Sequence, residues 1–164
     1  MSATIEVLQP GDWSSIQNIY AHGIAGGQAT FESAVPGWEK WHAAHLPSCR
    51  LVAREGGAVL GWAALSPVSS RSVYSGVAAE SVYVAADQQG KGVGRLLLES
   101  LIRASEAHGI WTLNSGIFPE NEASLQLHKF CGFRIVGVQE RIGRTAGVWR
   151  DIVLMERRSS IAGV

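Results

Sequence analysis

Hydrophobic and polar positions alternate with two different periods along this chain, and the switches between them mark its elements. Ile5 and Val7 alternate with polar neighbours over Thr4 to Leu8, which predicts a first strand. After Pro10-Gly11-Asp12 the period lengthens. Trp13, Ile16, Ile19, Tyr20 and Ile24 recur at helical spacing, and Gly23, Gly26 and Gly27 end that helix. A loop from Gln28 to Pro36 leads to a short helix with Trp38 and Trp41 on one face. Arg50 to Arg54 and Ala58 to Ser66 predict two strands around the tight turn Glu55-Gly56-Gly57. A polar connection, Pro67 to Ser75, precedes a fourth strand over Gly76 to Val84. Val93, Leu96, Leu97, Leu101 and Ile102 form the apolar stripe of a long helix that stops at Gly109. Ile110 to Ile117 reads as a fifth strand, and a further helix lies between Pro119 and Gly132. A last hairpin pairs Phe133 to Arg141 with Val148 to Met155. The order β-α-α-β-β-β-α-β-α-β-β predicts a single α+β domain with its core over residues 4 to 156. It has a mixed sheet of about seven strands with helices on both faces.

Composition changes this picture little. A chain of 164 residues can bury a sizeable core, and 46% hydrophobic with 17% charged residues fits a folded protein. Lys+Arg and Asp+Glu number 14 each, with no basic stripe, which argues against a nucleic-acid partner. Arg157-Arg158 reads as part of a solvated tail. No apolar run is long enough to cross a bilayer, and the first residues lack a basic segment followed by an apolar one. The expectation is a cytoplasmic protein with no membrane partner. Cys49 and Cys131 form no CxxC pair, and Cys131 reads as a buried, inert thiol within an apolar helix pattern. His42 and His45 share a helix face without a third ligand nearby, so no metal is expected.

Candidate chemistry concentrates between Val82 and Glu99. Gly90, Gly92 and Gly94 fall at every second position between a predicted strand and a helix N-terminus. Backbone N–H groups converge in such a turn, and the helix dipole adds to them, so the turn is an anion site with phosphate as its usual occupant. The P-loop spacing fails, because Ala85 stands five positions before Gly90 and Lys91 is followed by Gly92. The dinucleotide fingerprint fails too, because its third glycine would be Arg95 or Leu97. What remains is Gln89-x-x-Gly92-x-Gly94; a plain glycine-rich strand-to-helix turn is the alternative.

A second stretch, Asn121-x-x-Ser124-x-x-x-His128-x-x-x-Gly132-Phe133, follows strand five. The two stretches in this order resemble the GNAT-type N-acetyltransferases. Finer spelling is similar to the phosphinothricin N-acetyltransferase branch, which includes methionine-sulfoximine and arsinothricin acetyltransferases. It comprises Thr30-Phe31-Glu32, Arg71 with Tyr74, Ser81-Val82-Tyr83-Val84, Leu127-His128 and Gly147-Val148-Trp149-Arg150-Asp151.

The resemblance implies a GNAT-like fold and acetyl-coenzyme A as cosubstrate, without a metal. It implies that the pantetheine arm pairs with the backbone of Val82, Tyr83 and Val84. The pyrophosphate then rests on the N–H groups of Gln89, Gly90, Lys91, Gly92, Val93, Gly94 and Arg95. Asn121 reaches the pantetheine chain with Ser124 nearby, and it also reads as a helix cap. His128 stands where many relatives carry a tyrosine acid and this branch carries histidine. Its implied role is acid or sulfur contact, beside the alternative of a buried histidine that satisfies one hydrogen bond.

Glu80 is the candidate base, acting through a water. Relatives carry a glutamate three residues before Val-Tyr-Val, where this chain has Ala79. A one-residue slip in a strand turns Glu80 away from the substrate unless a β-bulge restores it. Substrates of the branch are amino acids with a tetrahedral anionic side chain. Arg71 then pairs with the acid group, Phe31 and Tyr74 wall the pocket, and Glu32 holds the ammonium. The resemblance also implies a homodimer with the last hairpin near the partner's site, and Trp149 as interface anchor or core residue. The expected function is acetylation of a small toxic amino acid analogue, conferring resistance. Another amine, such as a protein N-terminus or polyamine, and a coenzyme A-binding module without turnover are the alternatives.

Overall fold

The computed structural model describes residues 2–164. Seven strands form one mixed sheet in the order β1-β2-β3-β4-β5-β7-β6. They are β1 (Thr4–Val7), β2 (Leu51–Glu55), β3 (Ala58–Pro67), β4 (Val77–Val84), β5 (Thr112–Ile117), β6 (Arg134–Thr145) and β7 (Val148–Arg158). The α-helices are α1 (Trp13–Ala25), α2 (Trp38–Ala44), α3 (Val93–Ala107) and α4 (Glu122–Phe130).

Side-chain alternation along the strands divides the core in two. On one face Leu51, Ala53, Ala63, Leu65 and Ala78 pack with the α3 stripe of Leu97, Leu98 and Leu101 and with Leu125 and Leu127 of α4. On the other, Val52, Trp62 and Ala64 pack with Ile16, Ile19 and Tyr20 of α1 and Trp41 of α2.

All neighbouring strands run antiparallel except β4 and β5. Joined through α3, those two are parallel, and they pair only over Val77↔Thr112, Ala78↔Leu113 and Ala79↔Asn114. Both strands continue past that point, β4 to Val84 and β5 to Ile117. The sheet therefore opens as a wedge at its centre, and the β4 backbone from Glu80 onward has no strand partner on that side. β4 keeps unbroken register with β3 on its other side, from Gly61↔Val84 to Pro67↔Ala78.

The helix after Pro119 starts at Glu122 with Asn121 as its cap, as the sequence reads: the Asn121 side-chain oxygen accepts the Ser124 N–H at 3.2 Å. Two readings from the sequence need correction. Cys131 lies just past α4 and is half-buried; its N–H closes the helix onto the Leu127 carbonyl. Arg157-Arg158 is the end of β7 and not a solvated tail. Arg157 pairs with Glu106 at 2.9 Å, and Arg158 donates to the carbonyls of Ser159, Ala162 and Gly163.

Candidate active site

The wedge holds two connected cavities. One, of about 460 Å³, runs along Val82, Tyr83 and Val84 to the glycine turn and the start of α4. The other, of about 400 Å³, is lined by the Gln28–Glu32 loop, Glu80, Ser115 to Phe118, His128 and Ile152. Ala29, Val82, Tyr83, Asn121, Ser124 and His128 line both, so the two are halves of one channel.

Local geometry explains the first half. Gly90 and Gly92 have φ of 74° and 85°, a left-handed backbone that only glycine adopts cheaply. Gly92 is the N-cap of α3, so the turn delivers free N–H groups and the positive helix end to the channel. A Cβ added at Gly94 would stand 3.3 Å from Leu127 and 3.5 Å from Val84, so this glycine keeps the channel open between β4 and α4. Gln89, Gly90, Gly92, Gly94 and Arg95 line it. Lys91 is exposed and Val93 is buried in the core, and neither lines the channel. An open turn rich in N–H groups, followed by an apolar slot beside an unpaired strand edge, fits a pyrophosphate with a long thin arm.

At the junction stands a buried pair. His128 Nε2 donates to Glu80 Oε1 at 2.6 Å, with side chains 5% and 2% exposed. Nδ1 donates to the Ser124 carbonyl at 2.7 Å, and Ser115 Oγ lies 3.3 Å from Nε2. Oxygen atoms thus face both ring nitrogens, which favours the protonated ring. Burial alone would lower the His128 pKa. The bond to Glu80, its charge and the Ser124 carbonyl together outweigh burial and raise it. Glu80 Oε2 is buried with no hydrogen-bond partner.

No bulge is needed to bring Glu80 here. It shares a strand face with Ala78, Val82 and Val84, which is the face that α4 covers. The wedge opens right after Ala79, so a side chain on that face meets His128 and the cavity together.

Tyr83 is no second base. Burial, with Tyr20 and the carboxylates of Glu80 and Glu32 near it, pushes its phenol far above the usual value. Its ring stacks on Tyr20 and Trp62 with centroids 4.9 Å away in each case.

A family model described as the acetyltransferase (GNAT) family matches residues 13–133. The chain belongs to that family. It is 38% identical to the phosphinothricin N-acetyltransferase of Alcaligenes faecalis, over 95% of this chain and 82% of that protein. Among solved structures it is similar to yncA of Salmonella typhimurium, a protein with acetyl-CoA as its cofactor. That match has a TM-score of 0.89 and 29% identity, covering 96% of this chain and 94% of the other. The phosphinothricin acetyltransferase of Sinorhizobium meliloti, in complex with acetyl-CoA, matches with a TM-score of 0.88 and 27% identity. That match covers 99% of this chain and 91% of the other.

Within this acetyltransferase, Phe31, Glu32, Glu80 and His128 come together in one cavity, and Val82, Tyr83, Val84, Asn121 and Ser124 line the channel beside them. Arg71 and Tyr74 do not join them. They lie exposed around the turn Ser72–Tyr74, with the Arg71 guanidinium 5.7 Å from the Tyr74 ring centre. Trp149 is exposed, with Arg144 beside its ring, so it is not a core residue. His42 and His45 are engaged singly, by Arg50 and by the Trp41 carbonyl.

Gln28, Thr30, Ser115 and Phe118 were missed from the sequence as site residues, as was Arg150, because the segments that carry them reach the site from distant parts of the chain. The only sequence signal for them was the family-like spelling around Thr30-Phe31-Glu32 and Trp149-Arg150-Asp151.

Proposed function

We propose that this acetyltransferase moves an acetyl group from acetyl-coenzyme A to the amino group of a small amino acid with a tetrahedral oxo group on its side chain. Phosphinothricin and arsinothricin carry that group as an anion and methionine sulfoximine carries it uncharged, and loss of their free amine gives resistance. The observation that carries the reading is the Glu80–His128 pair at the junction of the two half-cavities, with one carboxylate oxygen left over. Similarity to a phosphinothricin N-acetyltransferase over nearly the whole chain supports the substrate class.

Acetyl-coenzyme A supplies the acetyl group as a thioester when bound. The turn from Gln89 to Arg95 holds its pyrophosphate, and the free edge of β4 with Asn121 and Ser124 holds its arm. In the other half, Glu32 and Glu80 are the carboxylates in the lining, which contains no lysine or arginine. That charge favours an ammonium group. The amine must lose a proton before it attacks, and Glu80 Oε2 is the atom placed to accept it. His128 keeps Glu80 aimed through the 2.6 Å bond to its other oxygen. His128 would return a proton to the departing thiolate, so the pair takes one proton from the amine and gives one back.

Arg71, the residue that the resemblance offers for the acceptor's acid group, lies exposed outside this lining, with no carboxylate partner among the described residues. We further assign the chain to a cytoplasmic homodimer joined along β6. That strand is the sheet edge and exposes Ile135, Val136, Val138 and Ile142.

The test is release of coenzyme A thiol from acetyl-coenzyme A with purified protein. The panel comprises the three analogues, common amino acids, spermidine and a peptide amine. Fast release with one of the analogues is expected. Release only with the peptide or spermidine would replace the substrate class, and acetyl-coenzyme A binding without release would leave a binding module.

A further inference from the structure

The loop Gln28 to Glu32 walls the acceptor half of the channel, but it is poorly backed. Behind it lies another cavity of about 570 Å³, and Gln28, Thr30 and Glu32 line both spaces. A wall with open space on both sides is held by its ties and not by packing behind it.

Those ties converge on one residue. Arg150 of β7 donates through Nη1 to the Gly27 carbonyl at 2.8 Å and through Nη2 to Gln28 Oε1 at 2.8 Å. Nη2 also reaches Glu120 at 3.2 Å, just before α4. The guanidinium lies 3.8 Å from the centre of the Phe118 ring, and the side chain is 13% exposed. Phe118 in turn meets the edge of Phe31 at 4.9 Å. A single planar fork therefore joins the loop, the end of β5 and the approach to α4, which a lysine cannot do. One further tie comes from the cofactor half: Asn121 Nδ2 donates to the Gln28 carbonyl at 3.1 Å.

We propose that Arg150 is the positioning residue of the acceptor half. It fixes the wall that carries Phe31 and Glu32, while leaving the glycine turn and the β4 edge untouched. This rests on the acetyl-transfer reading above. Loss of Arg150 acts on the amine and not on acetyl-coenzyme A, because none of its contacts reaches the turn from Gln89 to Arg95.

The test compares Arg150→Gln and Arg150→Lys with the wild type in two experiments. In the first, KM for the best amine, KM and Kd for acetyl-coenzyme A, and kcat are measured. Arg150→Gln should raise the amine KM by about tenfold or more, since several charge-assisted bonds are lost, with acetyl-coenzyme A affinity within about twofold. Arg150→Lys should recover part of the loss, through one bond to the Gly27 carbonyl. An unchanged amine KM, or an equal loss of acetyl-coenzyme A affinity, overturns the proposal. The second experiment is amide hydrogen exchange on the ligand-free protein. Exchange at residues 27–33 should rise in Arg150→Gln while β3 and α3 stay protected, whatever the amine proves to be. Unchanged exchange there overturns the positioning role even if acetyl transfer stands, and faster exchange without any turnover faults the acetyl-transfer reading alone.

Discussion

The two halves of the channel are built in opposite ways. The cofactor half comes mainly from one continuous stretch, Val82 to Arg95, and offers backbone: glycine N–H groups, a helix end and a free strand edge. The acceptor half comes from five separate stretches and offers side chains: Phe31, Glu32, Glu80, Phe118 and His128. Backbone recognition depends on φ values and open space, so it tolerates many neighbours and few replacements of its glycines. Side-chain recognition depends on how distant elements meet, so it can be re-tuned at one position without disturbing the other half.

That contrast can be broken by substitutions that ignore the boundary. Glu80→Gln should have the largest effect. With the proposed base gone, turnover at neutral pH should fall by about two to four orders of magnitude, while acetyl-coenzyme A affinity stays within about twofold. A near-normal rate would remove Glu80 from the chemistry, and a large loss of acetyl-coenzyme A affinity would merge the two halves. Gly92→Ala is the converse and smaller change. Its φ of 85° would cost an alanine about 1–2 kcal/mol. Relaxation of the turn should weaken acetyl-coenzyme A binding by about tenfold and leave the amine KM alone. Titration calorimetry and steady-state kinetics check both variants.

The same contrast explains what the sequence could disclose. Spacing alone located the glycine turn, because its parts are neighbours in the chain and its function is carried by backbone. Apolar periods located the strands and helices, and the Asn121 cap was legible beside them. Glu80 was read as facing away unless a bulge intervened. That reading was wrong: Glu80 lines the cavity with no bulge, because the wedge opens after Ala79 and α4 brings in His128. No local pattern encodes where two strands part. Arg157 was misread as solvated for a similar reason: its partner Glu106 ends a helix 51 positions away. For Arg150 the family-like spelling was the only signal, and nothing local told its role, since its three acceptors lie at Gly27, Gln28 and Glu120.

The central claim is that Glu80 and His128 act as one unit, and kcat/KM for the amine in wild type, Glu80→Gln, His128→Gln and the double variant tests it most directly. The two side chains share one buried hydrogen bond, and the His128 pKa is raised, so the protonated ring outlasts an ordinary imidazole as pH rises. The alkaline limb that marks loss of that proton should be absent from His128→Gln. Residues that act as a unit are not additive, so the double variant should be about as slow as Glu80→Gln alone. Losses that multiply in the double variant would contradict the claim and make His128 an independent acid on the leaving thiolate.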